Sequence, residues 1–458
     1  MTHTLAALLV DGDPDALVVR AGTETLTRAE LVRDATAVRD ALVAAGVGPG
    51  EAVAAVLPDR PATLAALFGV WLAGAVYVPL NPRATTGERA RVLEVVRPAV
   101  LVAADGIEPA APARPGGHEQ GPATRHDPDV ALVQLTSGTT GPPKPVPLRH
   151  STVLALMDGV LRKLGWRGPD PTRPAQPNLI PVSLSLWAGI YNVLFAFRVG
   201  APVVLMEGFS TTELAELVHR FQIRSVVLPP AAMAMLCDDD EVTHLAPLRI
   251  VRSITAPLSP LQARRFHEKF GVTVLNSYGQ TELGGEVVGW SAADAREHGD
   301  AKLGAVGRPH EGVELRVDGT GELWVHTSAM DDGEFQRTGD IARVDDEGFV
   351  WIEGRVSDMV NRGGLKVFPA EVEEVLRLHP DVQDAAVTGV PDDRLGEVPW
   401  AFVVCGDAGV DAEALDEHCR MHLAPYKVPV RFEAVAALPR NEVGKVLHRD
   451  LKHEDLRS

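Results

Sequence analysis

At 458 residues the chain is too long for one ordinary hydrophobic core, and its length predicts two or three structural modules. A formal net charge of −18 disfavours binding to nucleic acid or to anionic membranes, since both need a basic surface. The three cysteines are far apart and form no C-x-x-C pair, so neither a disulfide framework nor a zinc site is expected. No signal-peptide pattern and no apolar run of membrane-spanning length is visible, so we expect a cytoplasmic protein without membrane insertion.

The first part of the chain alternates helix-like and strand-like segments. Thr27-Arg28-Ala29-Glu30 has the pattern of a capping box, and the apolar residues that follow recur at steps of four and three until Gly46. We expect another helix over 62–72, a surface loop over 106–129, and strands over 53–57, 75–79, 100–103 and 130–135. Such alternation predicts an α/β fold with largely parallel sheets.

The second part of the chain has a different character. Strands are expected over 313–317, 321–326 and 349–352, and a compact α+β module with helices over 371–378 and 412–423 follows Arg355. We therefore predict a large N-terminal domain over residues 1–356, made of layered α/β subdomains plus a β-rich subdomain. A small mobile α+β C-terminal domain would occupy residues 357–458.

A glycine-rich run follows the strand at 130–135. It reads T-S-G-T-T-G-P-P-K from Thr136 to Lys144, and it supplies flexible backbone, hydroxyl donors and a lysine, which together suit a phosphate. The spacing is not that of a Walker A loop, because the run contains no Gly-Lys pair. A plain surface turn is the alternative, although two prolines and the lysine argue against it.

The run resembles the phosphate-binding motif of the adenylate-forming superfamily, which contains acyl-CoA synthetases, adenylation domains of non-ribosomal peptide synthetases and firefly luciferase. Further motifs of that family follow in its order: W-L-A-G-A-V-Y-V-P-L-N-P from Trp71, N-S-Y-G-Q-T-E from Asn276, T-G-D from Thr338, Gly354-Arg355, R-G-G from Arg362, P-A-E-V-E from Pro369, and P-R-N-E-V-G-K from Pro439. The joint match covers most of the chain and is far more specific than any one triplet.

The resemblance implies a nucleotide site. Tyr278 would offer a flat face to adenine, and Asp340 with Arg355 would hold the ribose, with a structural ion pair between those two as the alternative. The residues expected to bind ATP or AMP are Thr136, Ser137, Gly138, Thr139, Thr140, Gly141, Lys144, Thr255, Ala256, Pro257, Asn276, Ser277, Tyr278, Gly279, Asp340 and Arg355.

The resemblance also implies the catalytic residues Thr281, Glu282 and Lys445. Glu282 would be the metal ligand, since a carboxylate oxygen suits Mg²⁺. Lys445 would bridge two anions, the attacking carboxylate and the α-phosphate, and so stabilise charge that develops in the transition state. Ser357 falls at the family's hinge position, and Gly363 with Gly364 would line a channel for a pantetheine thiol.

The acyl pocket is expected at Ser183, Trp187, Tyr191, Pro229 and Met233, again by resemblance. No lysine, arginine or aspartate stands out to hold an amino group or a second carboxyl group, so we expect a hydrophobic carboxylic acid. The implied reaction is ATP-dependent formation of acyl-AMP with release of pyrophosphate, followed by transfer to CoA. Transfer to the phosphopantetheine of a separate carrier protein is one alternative, and an inactive nucleotide-binding scaffold is another. A homodimer is left open.

Overall fold

The computed structural model describes residues 4–109, 123–136, 144–168, 175–299, 301–327, 333–406, 409, 411–440 and 446–452. Most of the predicted elements are present within one to three residues of their expected bounds. The helices are α1 (Ala7–Val10), α2 (Arg28–Ala44), α3 (Pro61–Leu72), α4 (Thr86–Val96), α5 (His150–Lys163), α6 (Trp187–Arg198), α7 (Thr211–Arg220), α8 (Pro230–Asp238), α9 (Pro260–Phe270), α10 (Ala292–His298), α11 (Pro369–Arg377) and α12 (Ala412–His422).

The strands of the N-terminal part come first in two sets. The α/β set is β1 (Leu17–Ala21), β2 (Glu24–Thr27), β3 (Ala52–Ala55), β4 (Val76–Pro79), β5 (Val100–Ala103), β6 (Gly106–Pro109), β7 (Val130–Thr136), β8 (Lys144–Arg149), β9 (Asn178–Ile180), β10 (Val203–Leu205), β11 (Ser225–Leu228), β12 (Ile250–Ser253) and β13 (Thr273–Asn276). The β-rich set is β14 (Tyr278–Gln280), β15 (Gly285–Gly289), β16 (Arg308–Pro309), β17 (Val313–Val317), β18 (Glu322–Thr327), β19 (Gln336–Val344) and β20 (Val350–Arg355). The C-terminal set is β21 (Val360–Arg362), β22 (Leu365–Val367), β23 (Val382–Asp392), β24 (Gly396–Cys405) and β25 (Arg431–Ala434).

The start of α2 forms as its sequence predicts. The Thr27 hydroxyl accepts a hydrogen bond from the backbone N–H of Glu30, and the Glu30 carboxylate accepts one from the backbone N–H of Thr27, which completes the capping box. After the helix ends, Gly46 adopts a φ of +84°, a conformation that glycine reaches without strain. The helix then packs its buried face against α3, which is apolar nearly all round and lies inside the largest core cluster.

The sheets of the N-terminal part are mixed. A six-stranded sheet runs in the order β6-β5-β3-β4-β7-β8, with parallel pairing at its centre and antiparallel pairing at both edges. The outermost strand, β6, lies where a loop was expected over 106–129; that prediction was wrong for its first four residues, because they pair with β5 in a hairpin. The three strands β11-β12-β13 pair in parallel, and the sheet β2-β1-β10-β9 completes the α/β layers.

The later strands form antiparallel sheets. The strands β17-β18-β19-β20 make a four-stranded meander, and β14-β15-β16 make a second small sheet beside it. The small C-terminal domain has the sheet β22-β21-β24-β23, with β25 parallel to β24 and its own buried core under α11 and α12. The fold class is therefore the predicted one, α/β with a β-rich part and a small α+β domain at the C-terminus. No helix in the described part of the chain has both the length and the apolar character needed to cross a bilayer.

Candidate active site

A cleft of about 2540 Å³ gathers the residues that the sequence motifs single out. Its floor comes from the ends of β12 and β13 and from the turn that follows β14, and its walls come from α6, β19 and β20. The small domain closes one side with α11 and with residues near the C-terminal end of the described chain. A cleft between two such parts is a common place for a substrate site.

The predicted phosphate loop starts and ends at the base of a hairpin. Thr136 ends β7 and Lys144 begins β8, and the two face each other across the ladder. Both line the cleft, and the Thr136 hydroxyl donates a long hydrogen bond of 3.5 Å to Oε1 of Glu282. The phosphate-loop strand thus reaches the N-S-Y-G-Q-T-E motif. The predicted loop residues Ser137, Gly138, Thr139, Thr140 and Gly141 lie outside the described residues.

The turn from β13 to Glu282 packs so tightly that its glycine is required by shape. A Cβ atom at Gly279 would lie 2.1 Å from the carbonyl oxygen of Gly285 on the neighbouring strand. Any residue other than glycine would therefore clash with the backbone there. Before it, the backbone N–H of Ser277 donates to the Ser253 carbonyl at 3.1 Å and fixes the end of β13 to β12. Asn276, Thr281 and the other motif residues line the cleft.

A hydrogen-bonded network joins this turn to the T-G-D motif. Asp340, which is 4% exposed, accepts hydrogen bonds from the Tyr278 hydroxyl at 2.7 Å and from Nε2 of Gln280 at 2.6 Å. Arg355 pairs with the other carboxylate oxygen, with 3.0 Å between its Nε and Oδ1 of Asp340. Burial, with the Asp340 charge beside it, raises the pKa of Tyr278, so this phenol stays protonated and donates. The ion pair that the sequence left as an alternative is therefore present, and both members line the cleft.

Another stretch of the floor carries backbone strain. Thr255, Ala256 and Pro257 follow β12 and line the cleft as the sequence predicts. Thr255 has a φ of +74°, which is costly for a β-branched residue and is found mostly where function demands a particular backbone path.

The small-domain wall consists of ion pairs. Arg440 pairs with Asp384, and His448 lies 3.0 Å from Oε1 of Glu373 and 3.8 Å from Oδ2 of Asp358. Burial by itself would lower the pKa of His448, but hydrogen bonds to the two carboxylates raise it to about 9. This imidazole is therefore a cation at neutral pH.

The catalytic lysine predicted at position 445 lies outside the described residues. The residues at the two ends of that gap, Arg440 and Val446, are joined by an antiparallel bridge, and both line the cleft. Ser357, the predicted hinge residue, donates a hydrogen bond to Oδ1 of Asp358 at 2.8 Å.

The predicted channel glycines lie away from the cleft. Gly363 and Gly364 form the tight turn between β21 and β22, with φ of +60° and +90°, and neither belongs to the cleft lining. The small domain therefore presents the region near Arg440 to the cleft and keeps this turn outside it.

The expected acyl-pocket residues divide into two groups. Trp187 and Tyr191 lie on one face of α6 and line the cleft, with ring centroids 5.7 Å apart. Ser183 instead donates to Asp59 at 3.0 Å, Pro229 caps the start of α8, and Met233 is fully buried in a hydrophobic core. None of these three lines the cleft. For Met233 the reason is the orientation of α8, which turns Ala234 and Met235 toward the cleft and Met233 toward the core.

Two charged residues of the wall were missed. Arg252 on β12 and Glu286 on β15 form an ion pair, and both line the cleft. The cleft wall therefore carries an arginine that the sequence analysis did not name. A signal was present for Arg252 alone, since it is a charged residue directly after the apolar Ile250 and Val251, whereas its pairing with Glu286 had no sequence signal. Gln280 was missed too, although it lies inside a recognised motif and bonds to Asp340.

Comparisons with known proteins give matches over most of the chain. The family model described as AMP-binding enzyme matches residues 9–333, and the model described as AMP-binding enzyme C-terminal domain matches residues 371–445. The chain is similar to the fatty acid--[acyl-carrier-protein] ligase ScoC of Streptomyces coeruleorubidus, at 30% identity over 96% of this chain and 93% of the relative. It is also similar to the 2-succinylbenzoate--CoA ligase of Geobacillus kaustophilus, at 31% identity over 96% and 95%. Among solved structures, ATP-bound MatB from Rhodopseudomonas palustris superposes with a TM-score of 0.86 at 25% identity, covering all of both chains.

Proposed function

Because this chain belongs to the family of AMP-binding enzymes, we propose that it activates a carboxylic acid as acyl-AMP in the cleft described above and then transfers the acyl group to the thiol of CoA. The family makes it an adenylate-forming ligase that uses ATP. The observation that carries the residue-level proposal is the network of Tyr278, Gln280 and Arg355 around Asp340, which lies beside Thr136 and Glu282 in one cleft.

The nucleotide is proposed to bind with its sugar at Asp340 and its phosphates at the β7–β8 hairpin. A carboxylate can accept both ribose hydroxyls, and Asp340 is held in place for this by three partners. Tyr278 keeps its ring at the cleft while its hydroxyl is tied to Asp340, so a flat face remains for adenine. Lys144, exposed at the start of β8, would add a positive charge beside the phosphates.

A magnesium ion is proposed at Glu282. Oxygen ligands suit this ion, and the Glu282 carboxylate with the nearby Thr136 hydroxyl offers two of them at the hairpin base. Bound there, the ion would neutralise phosphate charge as the α–β bond of ATP breaks.

Lys445 is proposed to stabilise the transition state of adenylation. The carboxylate oxygen attacks the α-phosphorus, the bond to the β-phosphate breaks, and pyrophosphate leaves with the electron pair. Two anions meet in this step, and an ammonium between them stabilises the charge that develops. Its support is that Arg440 and Val446, at the two ends of its segment, line the cleft.

The division of labour between two domains is part of the proposal. We place the domain boundary at residues 356 and 357, with Ser357 as the hinge. The small domain would turn after adenylation, so that the turn at Gly363 and Gly364 replaces the Lys445 segment at the cleft and admits the thiol. The position of that turn outside the cleft fits the adenylating half of such a cycle.

A carrier protein is the second candidate acceptor. The named activity of ScoC, a fatty acid--[acyl-carrier-protein] ligase, favours it, whereas the 2-succinylbenzoate ligase acts with CoA. Both acceptors present a pantetheine thiol, so the adenylating half-reaction is the same for either.

The first experiment is ATP–pyrophosphate exchange across a panel of aryl, fatty and polycyclic acids. We expect Lys445→Ala to lose nearly all exchange while retaining ATP binding by calorimetry, because the lysine acts on charge that appears only during reaction. Wild-type exchange in this variant would remove Lys445 from the mechanism.

A second experiment separates the acceptor step. Gly364→Leu should spare exchange and block thioester formation with CoA or with a phosphopantetheinylated carrier protein, since a leucine would obstruct a narrow channel. The same variant at Gly319, a glycine on the β17–β18 turn with open space around it, serves as the control. Equal loss of both half-reactions in Gly364→Leu would contradict the channel.

A further inference from the structure

The pocket between α6 and the strands β12 and β15 is not purely hydrophobic. Trp187, Tyr191 and Phe195 recur every fourth residue along α6 and present an aromatic wall to the cleft. Opposite this wall lie Arg252 and Glu286, which also line the cleft. A Cβ atom at Gly285 would approach the Tyr191 ring to 3.1 Å, so the aromatic wall meets β15 at the residue before Glu286.

We propose that the acid activated here carries, besides its reacting carboxylate, a second oxygen-bearing group that accepts hydrogen bonds from Arg252. This rests on the proposed adenylating activity and assigns its substrate class: an acid with an aromatic or otherwise apolar body and a hydroxyl, carbonyl or carboxylate oxygen at its far end.

Arg252 has donors to spare. A guanidinium offers five N–H groups in a planar fork, and the hydrogen bond recorded to Glu286 uses one of them, at Nη2. The side chain keeps 18% of its surface exposed while it lines the cleft. Nε2 of His310 lies 2.9 Å from Oε1 of Glu286, the same oxygen that Arg252 contacts, so this oxygen is held by two groups and orients the guanidinium in turn. A rigid fork of this kind suits an oxygen acceptor.

The charge around this pair favours an oxygen over a cation. Three basic groups, Lys163, Arg252 and Arg308, interact in one cluster with two carboxylates, Glu286 and Asp294, which leaves a surplus of one positive charge. Burial lowers the pKa of Lys163 to about 8, as expected for an ammonium among other cations, yet it is still charged at neutral pH. Burial by itself would raise the pKa of Glu286, but Arg252 and His310 together lower it to about 2, so that carboxylate stays ionised.

The position of Arg252 is right for a distal group. Its neighbour in the chain, Ser253, accepts the backbone hydrogen bond of Ser277 in the nucleotide motif. An acyl group that extends from the nucleotide between α6 and β15 would therefore meet the guanidinium beyond the reacting end. This distinguishes the pair from Arg162 and Glu311, which form an Arg–Glu pair of similar length, 2.8 Å, on the exposed surface.

The test compares matched acids in pyrophosphate exchange. The pairs are cinnamate with 4-hydroxycinnamate, and naphthalene-2-carboxylate with naphthalene-2,6-dicarboxylate. For wild type we expect kcat/KM at least tenfold higher for the oxygen-bearing member of one pair or both. In Arg252→Met that ratio should fall to about one, and in the control Arg162→Met it should equal the wild-type ratio.

Stability is handled by a second variant. Arg252→Met leaves the buried Glu286 with one partner fewer, so the double variant Arg252→Gln with Glu286→Gln removes both charges together and should show the same collapsed ratio. A wild-type preference for the plain acids, or an unchanged ratio in both Arg252 variants, overturns the inference. Failure of every acid to give exchange that depends on Lys445 overturns the proposed function instead, and this inference with it.

Discussion

The two walls of the cleft are built by different means. On the large domain, Tyr278, Gln280 and Arg355 converge on one buried carboxylate, and the turn beneath them is closed by a glycine in van der Waals contact. On the small domain, Arg440 and His448 hold carboxylates that are a quarter exposed or less, in pairs that join segments of that domain to one another. The first wall surrounds one buried carboxylate, whereas the second is held together by ion pairs within the small domain. We infer that the large-domain wall binds the nucleotide and that the small-domain wall serves the proposed change between the two half-reactions.

The largest effect is expected from Asp340→Asn, which tests the preformed wall. The amide keeps the shape but loses the charge that Arg355 needs and turns an N–H₂ group toward other donors. We expect a loss of about 2 kcal/mol in the free energy of unfolding and more than tenfold in AMP affinity. Urea denaturation and titration calorimetry measure the two.

Asp384→Asn on the opposite wall is the matched control. Asp384 also holds two arginines, Arg377 and Arg440, but its side chain is 25% exposed, so we expect a loss below about 1 kcal/mol and unchanged AMP affinity. Equal losses of affinity in the two variants would abolish the distinction between the walls.

A smaller, pH-dependent effect is expected at His448. Its pKa is raised above that of a free histidine, so the stabilisation from the charged form is fully present below about pH 6.5 and is lost as pH rises through about 9. The groups that face it are Asp358, which follows the proposed hinge residue, and Glu373 with its partner Arg377 on α11. We expect wild type to lose about 3 kcal/mol of unfolding free energy between pH 6 and pH 9.5 through this group.

His448→Gln should flatten that slope, and His448→Arg should flatten it while keeping the charge. Unfolding free energies of the three proteins at both pH values give the measurement. A slope that persists in His448→Gln would assign it to another group.

The smallest effect on stability is expected at Lys366, which belongs to the small domain and contacts the large domain at the protein surface. Its ammonium donates to the carbonyl oxygen of Thr320 at 3.0 Å, and the contact is solvent-exposed. Lys366→Ala should change the free energy of unfolding by less than about 0.5 kcal/mol, since such contacts contribute little. A change of several kcal/mol would mean that the small domain is held in place far more firmly than its wall of ion pairs indicates.

The sequence predicted the elements with strong local signals. The capping box at Thr27 and the apolar run of α3 are local features, and both formed as expected. The hairpin strand β6 was missed because its pairing depends on β5 as much as on its own residues, which include a glycine and a proline that argue for a loop. Motif order alone indicated the nucleotide residues, and the fold brings Thr136, Glu282 and Asp340 to one cleft.

What the sequence could not supply was side-chain direction. Met233 and Met235 lie two residues apart on the same short helix, and the core takes the first while the cleft takes the second. Arg252 and Glu286 are 34 residues apart in the chain, so their pairing becomes visible only when β12 and β15 are placed in space. No periodicity in a single sequence shows which of its distant charged residues will form an ion pair.

The crowding around Gly279 also indicates which positions of the cleft tolerate substitution. A library that diversifies position 279 would consist almost entirely of unfolded members, because the obstacle there is backbone and cannot rotate away. The aromatic face of α6 is different: Trp187, Tyr191 and Phe195 project from a helix whose backbone hydrogen bonds do not depend on them. Libraries that aim to change the acid specificity of this ligase should therefore randomise residues of α6 and leave the turn at Gly279 unchanged.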